Sequence, residues 1–153
     1  MNLKNQKKKK LFLGRTEKLD FPELGLIGID AKIDTGAYGC SIHCSKIEIV
    51  NENGETFLHF ILLDPSHPAY NNKNFFFKEF EDRTVKNSFG QTEKRFIIRT
   101  PVLIFGKLIK TEFSLSNRGT LRFPILLGRK LLKRGFVVDV SKTDLSFKSK
   151  NIN

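Results

Sequence analysis

Along the chain, short apolar stretches that alternate with polar residues are cut at regular intervals by turn-forming residues, a pattern of strands rather than helices. Residues 24–33 are apolar and partly alternating up to Ile33, and Asp34-Thr35-Gly36-Ala37 ends the run with turn chemistry. Ile42, Ile47 and Ile49 carry alternation through residues 42–50, Asn51-Glu52-Asn53-Gly54 closes a hairpin, and residues 56–63 return as its second strand. Residues 64–74, rich in Pro, Asn and Ser, predict a loop anchored by Phe75-Phe76-Phe77. A second hairpin is expected from residues 83–87 and 94–100 around Ser88-Phe89-Gly90-Gln91, and a third from residues 102–105 and 108–115 around Gly106-Lys107. Residues 123–127 read as another short strand, 129–133 as a turn or two of helix stopped by Gly135, and 136–140 and 145–147 as further strands. Many short strands with hardly any helix predict an all-β domain, a small barrel or sandwich.

Length and composition narrow this. At 153 residues the chain is one domain's worth, and with 15 Phe, one Met, two Tyr and no Trp its core must be built from aliphatics and phenylalanine. The formal net charge of +11 invites a nucleic-acid reading until the charges are located. Residues 1–18 hold seven cations against Glu17, and residues 141–153 hold Lys142, Lys148 and Lys150 against Asp144, whereas residues 19–140 carry 17 positive and 14 negative charges, a difference of +3. The expected organisation is a basic, flexible segment at 1–18, one domain at 19–148 and a tail at 149–153. The run Lys7-Lys8-Lys9-Lys10 is followed by only three apolar residues, too few for a secretory signal, and no stretch approaches a membrane span, so a cytoplasmic protein without a membrane partner is expected. No base-stacking motif accompanies the lysines; an RNA-binding β-barrel is the weaker reading, and a nucleic-acid partner is not expected. Cys40 and Cys44 are too close in sequence for a stapling disulfide framework and read as thiols.

The strongest local signal is Ala31-Lys32-Ile33-Asp34-Thr35-Gly36-Ala37, an acid at the end of an apolar strand followed by a glycine that permits a tight turn and close backbone approach. A second apolar strand, Pro124-Ile125-Leu126-Leu127, likewise ends in glycine, at Gly128-Arg129. Together these resemble the retropepsin-like aspartic proteases, in which an Asp-Thr-Gly-Ala loop is followed by a flap hairpin and a hydrophobic-hydrophobic-Gly-Arg segment. The chain is also similar to a bacterial family labelled ATP-dependent zinc proteases, retropepsin-like in sequence and associated with ATP-grasp ligases that attach glutamates to proteins. The matching segments are Lys32 through Ala37, Arg83-Thr84-Val85 leading to Ser88-Phe89-Gly90, Arg95-Phe96-Ile97-Ile98, Leu115-Ser116-Asn117-Arg118, and residues 123–129 running on to Val138-Asp139.

The resemblance implies a small closed barrel with a flap hairpin and one short helix near the C-terminus. It implies an aspartic-type endopeptidase that is a homodimer, because such chemistry needs two carboxylates sharing one proton and this chain carries one Asp-Thr-Gly. Asp34, Thr35 and Gly36 would be catalytic, with Thr35 bonding across the dimer and Gly36 admitting the substrate backbone. Ala37, Ser88, Phe89 and Gly90 would bind substrate, and Gly128 and Arg129 would support the loop from behind. No cofactor and no metal are expected, and the partners would be a second copy, a peptide or protein substrate of acidic or glutamylated kind, and an ATP-grasp ligase or its product. Lys86, Lys94 and Arg95 on the hairpin would suit an acidic substrate. By the residues alone, Asp34 is equally a turn residue capping backbone N–H groups, Gly90 a turn glycine and Arg129 a solvated helix start; the same groove would also serve a non-catalytic peptide-binding module. Tyr38 stands where retroviral enzymes carry an acid that pairs with the arginine, which leaves the partner of Arg129 open. For zinc, no His-Glu-x-x-His is present; Cys40, His43 and Cys44 cluster in sequence, but strand alternation would send neighbours to opposite faces.

Overall fold

The computed structural model describes residues 9–86, 89–117 and 123–150. The chain is mostly β. Strands β1 (Leu11–Leu13) and β2 (Thr16–Phe21) lead through a 3-10 turn (Pro22–Leu24) to β3 (Leu26–Ile33), β4 (Cys40–Glu52), β5 (Glu55–Leu62) and β6 (Phe75–Phe77). Strands β7 (Glu81–Lys86), β8 (Thr92–Ile104), β9 (Lys107–Ser116) and β10 (Ile125–Leu127) follow, then helix α1 (Arg129–Leu132), β11 (Phe136–Val138) and helix α2 (Leu145–Ser149). Among the described residues no helix is long and apolar enough to cross a membrane.

In the main sheet the order is β10-β3-β2-β8-β9-β4-β5-β6, with β7 paired to β8 and with β10 paired to β4 as well as to β3. β10 lies parallel to β3, Leu127 opposite Ile33, and antiparallel to β4, Ile125 opposite Ile42. β4 changes partners along its length. Residues 40–43 run parallel to β9, and beyond a register shift between Cys44 and Lys46 the strand belongs to the β4–β5 hairpin. The two ends of the chain meet in a separate pair, β1 parallel to β11.

The alternation that announces β3 is visible in its burial: Leu26, Ile29, Ala31 and Ile33 face the interior. Gly28, at φ 67°, lets the strand turn so that Ile27 points out while Ile29 points in, and its N–H donates to Asp20 Oδ1 at 2.8 Å. The interior is more aliphatic than expected. Among the described phenylalanines only Phe21, Phe60, Phe75 and Phe113 are buried, Phe21 edge-on to Phe113 with centroids 5.5 Å apart, while Leu and Ile supply the rest. A fully buried side chain of this kind contributes about 1.5–3 kcal/mol.

Three local expectations differ. The predicted strands 94–100 and 102–105 are one strand, β8, which passes through Pro101; the proline pairs with Lys110 of β9, and the opposite edge of β8 has a registered β2 partner only at Leu103, so a missing N–H is tolerated. Phe75–Phe77 is a strand on β5 rather than a bare anchor, with the Phe75 and Phe60 rings stacked at 5.3 Å. Residues 145–149 are helical, not extended. The reason lies far away in sequence: the buried Glu17 carboxylate accepts the N–H groups of Leu145 (3.2 Å) and Ser146 (2.9 Å), and also that of Gly14 (2.8 Å). Among the described residues strand structure thus begins at Leu11, inside the basic stretch 1–18, and Glu17 ties it to the C-terminal helix.

Burial raises the Glu17 carboxyl above its usual range, the three N–H donors offset only part of this, and Asp144 adds to it. The folded chain therefore holds this proton more tightly than the unfolded one, so the contribution favours folding fully below the usual glutamate range and is lost as pH rises from that range through the raised value of the folded chain. Glu17→Gln has no such proton. In urea denaturation at pH 4.5, 6 and 7.5, wild type should lose stability relative to Glu17→Gln as pH rises, and a pH-independent difference would refute this.

Candidate active site

The parallel pairing of β3 with β10 brings the two glycine-ended strands side by side, so that the turns following them, residues 34–39 and 128–130, grow from the same edge. They are laced together by backbone. The Asp34 N–H donates to the Leu127 carbonyl (2.9 Å), and the Arg129 and Lys130 N–H groups donate to the carbonyls of Ala37 (2.9 Å) and Tyr38 (2.8 Å). Gly128 sits where no side chain fits: a Cβ there would lie 2.3 Å from the Gly39 carbonyl oxygen, 2.7 Å from that of Tyr38 and 2.8 Å from that of Ala37.

Asp34 is half-buried at the head of the first turn, and its Oδ1 accepts the Gly36 N–H at 3.0 Å. Thr35 and Gly36 are exposed beside it, and a Cβ on Gly36 would press on Asp34 Oδ1 at 3.3 Å. Among the described residues no hydrogen bond joins Asp34 to a second carboxyl. The Arg129 guanidinium donates to the Thr35 carbonyl (3.0 Å) and lies over the Tyr38 ring, 5.9 Å from its centroid. Where the sequence left the partner of Arg129 open, it is a backbone oxygen and an aromatic face.

Next to these turns is a groove of about 470 Å³. One wall is residues 37–41; the other is Arg83, Arg95 and Ile97 from β7 and β8, with Glu112 and Ser114 of β9, Leu126 of β10 and Lys130 of α1 completing it. Glu112 is its electrostatic centre, accepting from Arg83 Nη1 (2.6 Å), with Arg99 at 3.3 Å and Lys130 at 3.4 Å. Burial would raise the Glu112 carboxyl, but the hydrogen bond and charge of Arg83, together with Lys130, outweigh it and hold the acid below its ordinary range. Arg99 and Arg83 likewise hold Glu81 down.

The structure thus gathers Asp34, Thr35, Gly36, Ala37, Gly128 and Arg129 into one assembly. Phe89 and Gly90 stand apart at the far end of the β7–β8 hairpin, Phe89 88% exposed and Gly90 at φ 77°, and Ser88 lies outside the described residues, as does Arg118. Arg95 lines the groove, while Lys94 is drawn to Asp82 at 3.5 Å. Glu112 and Lys130 escaped the sequence reading, and Arg83 stood in it only as part of a matching segment with no role, although one signal was present: along β9, Thr111, Phe113 and Leu115 are buried, and the alternate polar residues Glu112 and Ser114 face the groove.

The Cys40, His43 and Cys44 cluster is dispersed by alternation. Cys40 and Cys44 point into the core, Cys40 Sγ accepting the Gly128 N–H at 3.4 Å, while His43 turns to Asp64, Nε2 to Oδ2 at 3.0 Å. Burial raises both thiols above their usual range. Among the described residues no group of three or more His, Cys, Asp and Glu side chains is arranged to hold a metal.

Comparison with known proteins agrees with this architecture. The chain is 34% identical over 134 residues to a probable alpha-L-glutamate ligase of Desulfotalea psychrophila, covering 85% of this chain but 28% of that protein. It is 32% identical over 138 residues to the one of Shewanella pealeana, covering 88% and 29%. The chain therefore spans less than a third of these curated relatives. In fold it is similar to a Legionella pneumophila protein of unknown function, with a TM-score of 0.63 at 24% identity over 88% of this chain and 97% of that one. Residues 12–149 match the RimB-like family, described as retropepsin-like aspartic endopeptidase RimB, and with the paired 34–39 and 128–130 turns this makes the chain a member of that family.

Proposed function

We propose that the chain is an aspartic-type endopeptidase that works as a homodimer, with Asp34 of each copy forming the catalytic pair. The observation that carries this is the single Asp34 carboxyl, presented at the meeting of the two glycine-ended strands beside a groove of about 470 Å³ lined by Ala37 through Ser41. One such acid cannot both activate water and donate a proton to the scissile carbonyl. Two related by a twofold axis can, since like charges about 3 Å apart share one proton and titrate as a unit. In this reading Thr35 links the two copies, Gly36 and Ala37 meet the substrate backbone, and Arg129, bonded to the Thr35 carbonyl, keeps the turn in shape. The β7–β8 hairpin with Ser88, Phe89 and Gly90 is the flap. The path from β10 through β3, β2, β8, β9 and β4 back to β10 supports a closed barrel.

The relatives' names and the partial coverage of their length favour a role alongside a glutamate ligase, on acidic or glutamylated protein. The cations Arg83, Arg95 and Lys130 in the groove suit such a substrate.

The test combines two measurements: cleavage of a mixed peptide library between pH 4 and 8, with and without a transition-state-analogue inhibitor of aspartic peptidases, and sedimentation of the same preparation. Inhibitable cleavage that tracks the dimer is expected. A dimer that binds peptides without cleaving them would convert the reading to a peptide-binding module, and a strict monomer would remove the mechanism.

A further inference from the structure

The groove is the first of three cavities that share walls. A second, of about 360 Å³, shares Cys40, Glu112 and Lys130 with it and is otherwise lined by residues including Lys110, Leu131 and Arg134. A third, also about 360 Å³, shares Arg99 and Lys110 with the second and reaches Glu79 and Phe80. Along this line stand six cations, Arg83, Arg95, Arg99, Lys110, Lys130 and Arg134, against the lining carboxylates Glu112 and Glu79. Residues 19–140 as a whole carry an excess of only +3, so the band concentrates positive charge that is balanced elsewhere.

Most of the band is already paired: Glu112 and Glu81 engage Arg83 and Arg99, Glu112 also engages Lys130 at 3.4 Å, and Glu93 lies 3.6 Å from Arg95. Further out this stops. Among the described residues neither Lys110 nor Arg134 has a carboxylate partner; Arg134 Nη1 is held by the Lys110 carbonyl at 2.8 Å, which fixes the guanidinium beside the lysine.

We propose that this band is an exosite for an acidic stretch of polypeptide that lies outside the segment held in the groove. The proposal rests on the groove being a peptide site only for the direction in which the band leads. Acidic peptide fits better than nucleic acid because Glu112, Glu81 and Glu79 interleave with the cations. An extended peptide can set a neutral residue opposite them, whereas a nucleic acid carries a charge at every phosphate. Of the aromatic rings along the band, Phe80 packs on Phe96 with centroids 6.4 Å apart, and the exposed Tyr38 carries the Arg129 and Lys133 cations over its ring.

The test uses the full chain carrying Asp34→Asn, so that binding is read without cleavage. The probes are a fluorescein-labelled decapeptide of alternating Glu and Ser, its Gln and Ser counterpart, and a single-stranded oligothymidylate. Anisotropy at 50 mM salt should show the acidic peptide bound in preference to the neutral one. Lys110→Glu, which keeps the carbonyl that holds Arg134, should weaken acidic binding about threefold, and Lys110→Glu with Arg134→Gln about tenfold. Any cleavage of neutral peptides by chains retaining Asp34 should be unchanged by Lys110→Glu. If the double variant is not folded by circular dichroism, the single variant decides. Equal binding of the two peptides, no change in Lys110→Glu, or tighter oligothymidylate binding lost in the same variant would overturn the exosite. Binding as expected from a protein that cleaves nothing would sink the peptidase reading and leave the exosite standing.

Discussion

Asp34→Asn is expected to reduce peptide cleavage by about a thousandfold or more, the scale of losing a general acid–base. The substitution is a clean test because the local structure does not need the charge. The bond that holds the residue to β10 runs from its backbone N–H to the Leu127 carbonyl, and an asparagine side-chain oxygen still accepts the Gly36 N–H. Stability should therefore stay within about 0.5 kcal/mol of wild type, as for other substitutions that break no buried interaction. In the proposed dimer an asparagine pair could not share an acidic proton, so water would not be activated and the scissile carbonyl would not receive a proton. Mixing the variant in excess with wild type should also suppress wild-type activity, since each mixed dimer holds a single carboxyl. Full activity in Asp34→Asn at an unchanged melting temperature would exclude Asp34 from the chemistry.

The second large effect is expected at a residue with no side chain. Gly128→Ala would drive a methyl into three carbonyl oxygens, those of Ala37, Tyr38 and Gly39, at 2.3 to 2.8 Å. These are backbone atoms, and two of them already accept hydrogen bonds from Arg129 and Lys130, so none can rotate aside as a side-chain end would. The collision can be relieved only by separating the two turns, which breaks those bonds. A loss of about 3 kcal/mol is expected, the upper range for overpacking, corresponding to a fall of about 10 °C in Tm. Cleavage should fall even well below the new Tm, because the displaced turn is the one that carries Asp34. Calorimetry and a peptide assay at 15 °C check both parts, and a variant with wild-type Tm would show that the contact is not as close as described.

What could be read from the sequence was local. The alternation through residues 24–33 and 42–50 and the turn at Asn53-Gly54 specify their own strands, which stand within a residue or two of expectation, and the turn at Gly106 falls where expected, between β8 and β9. The two glycine-ended strands were legible as a pair of motifs, although nothing in either says that they are parallel neighbours. What was missed depends on partners distant in sequence. Helix α2 forms where its first N–H groups meet Glu17, 129 positions away from Ser146, and no window around residue 145 contains that acid. β8 continues through Pro101 because of what lies across its edges, not because of its own residues. The partner of Arg129 was sought among acids because charge is visible in a sequence, whereas the direction of the Thr35 carbonyl is not. Glu112 was hidden for a related reason: its role comes from Arg83, Arg99 and Lys130, supplied by three different elements.

The three residues of β10 also set a timetable. Until Leu127 has been synthesised and has settled between β3 and β4, the Asp34 N–H lacks its acceptor and Arg129, 94 positions after Thr35, cannot reach that carbonyl. Contacts closed over such separations form late, after local hairpins. A ribosome-bound chain can therefore fold most of its hairpins while its acid turn is still unassembled.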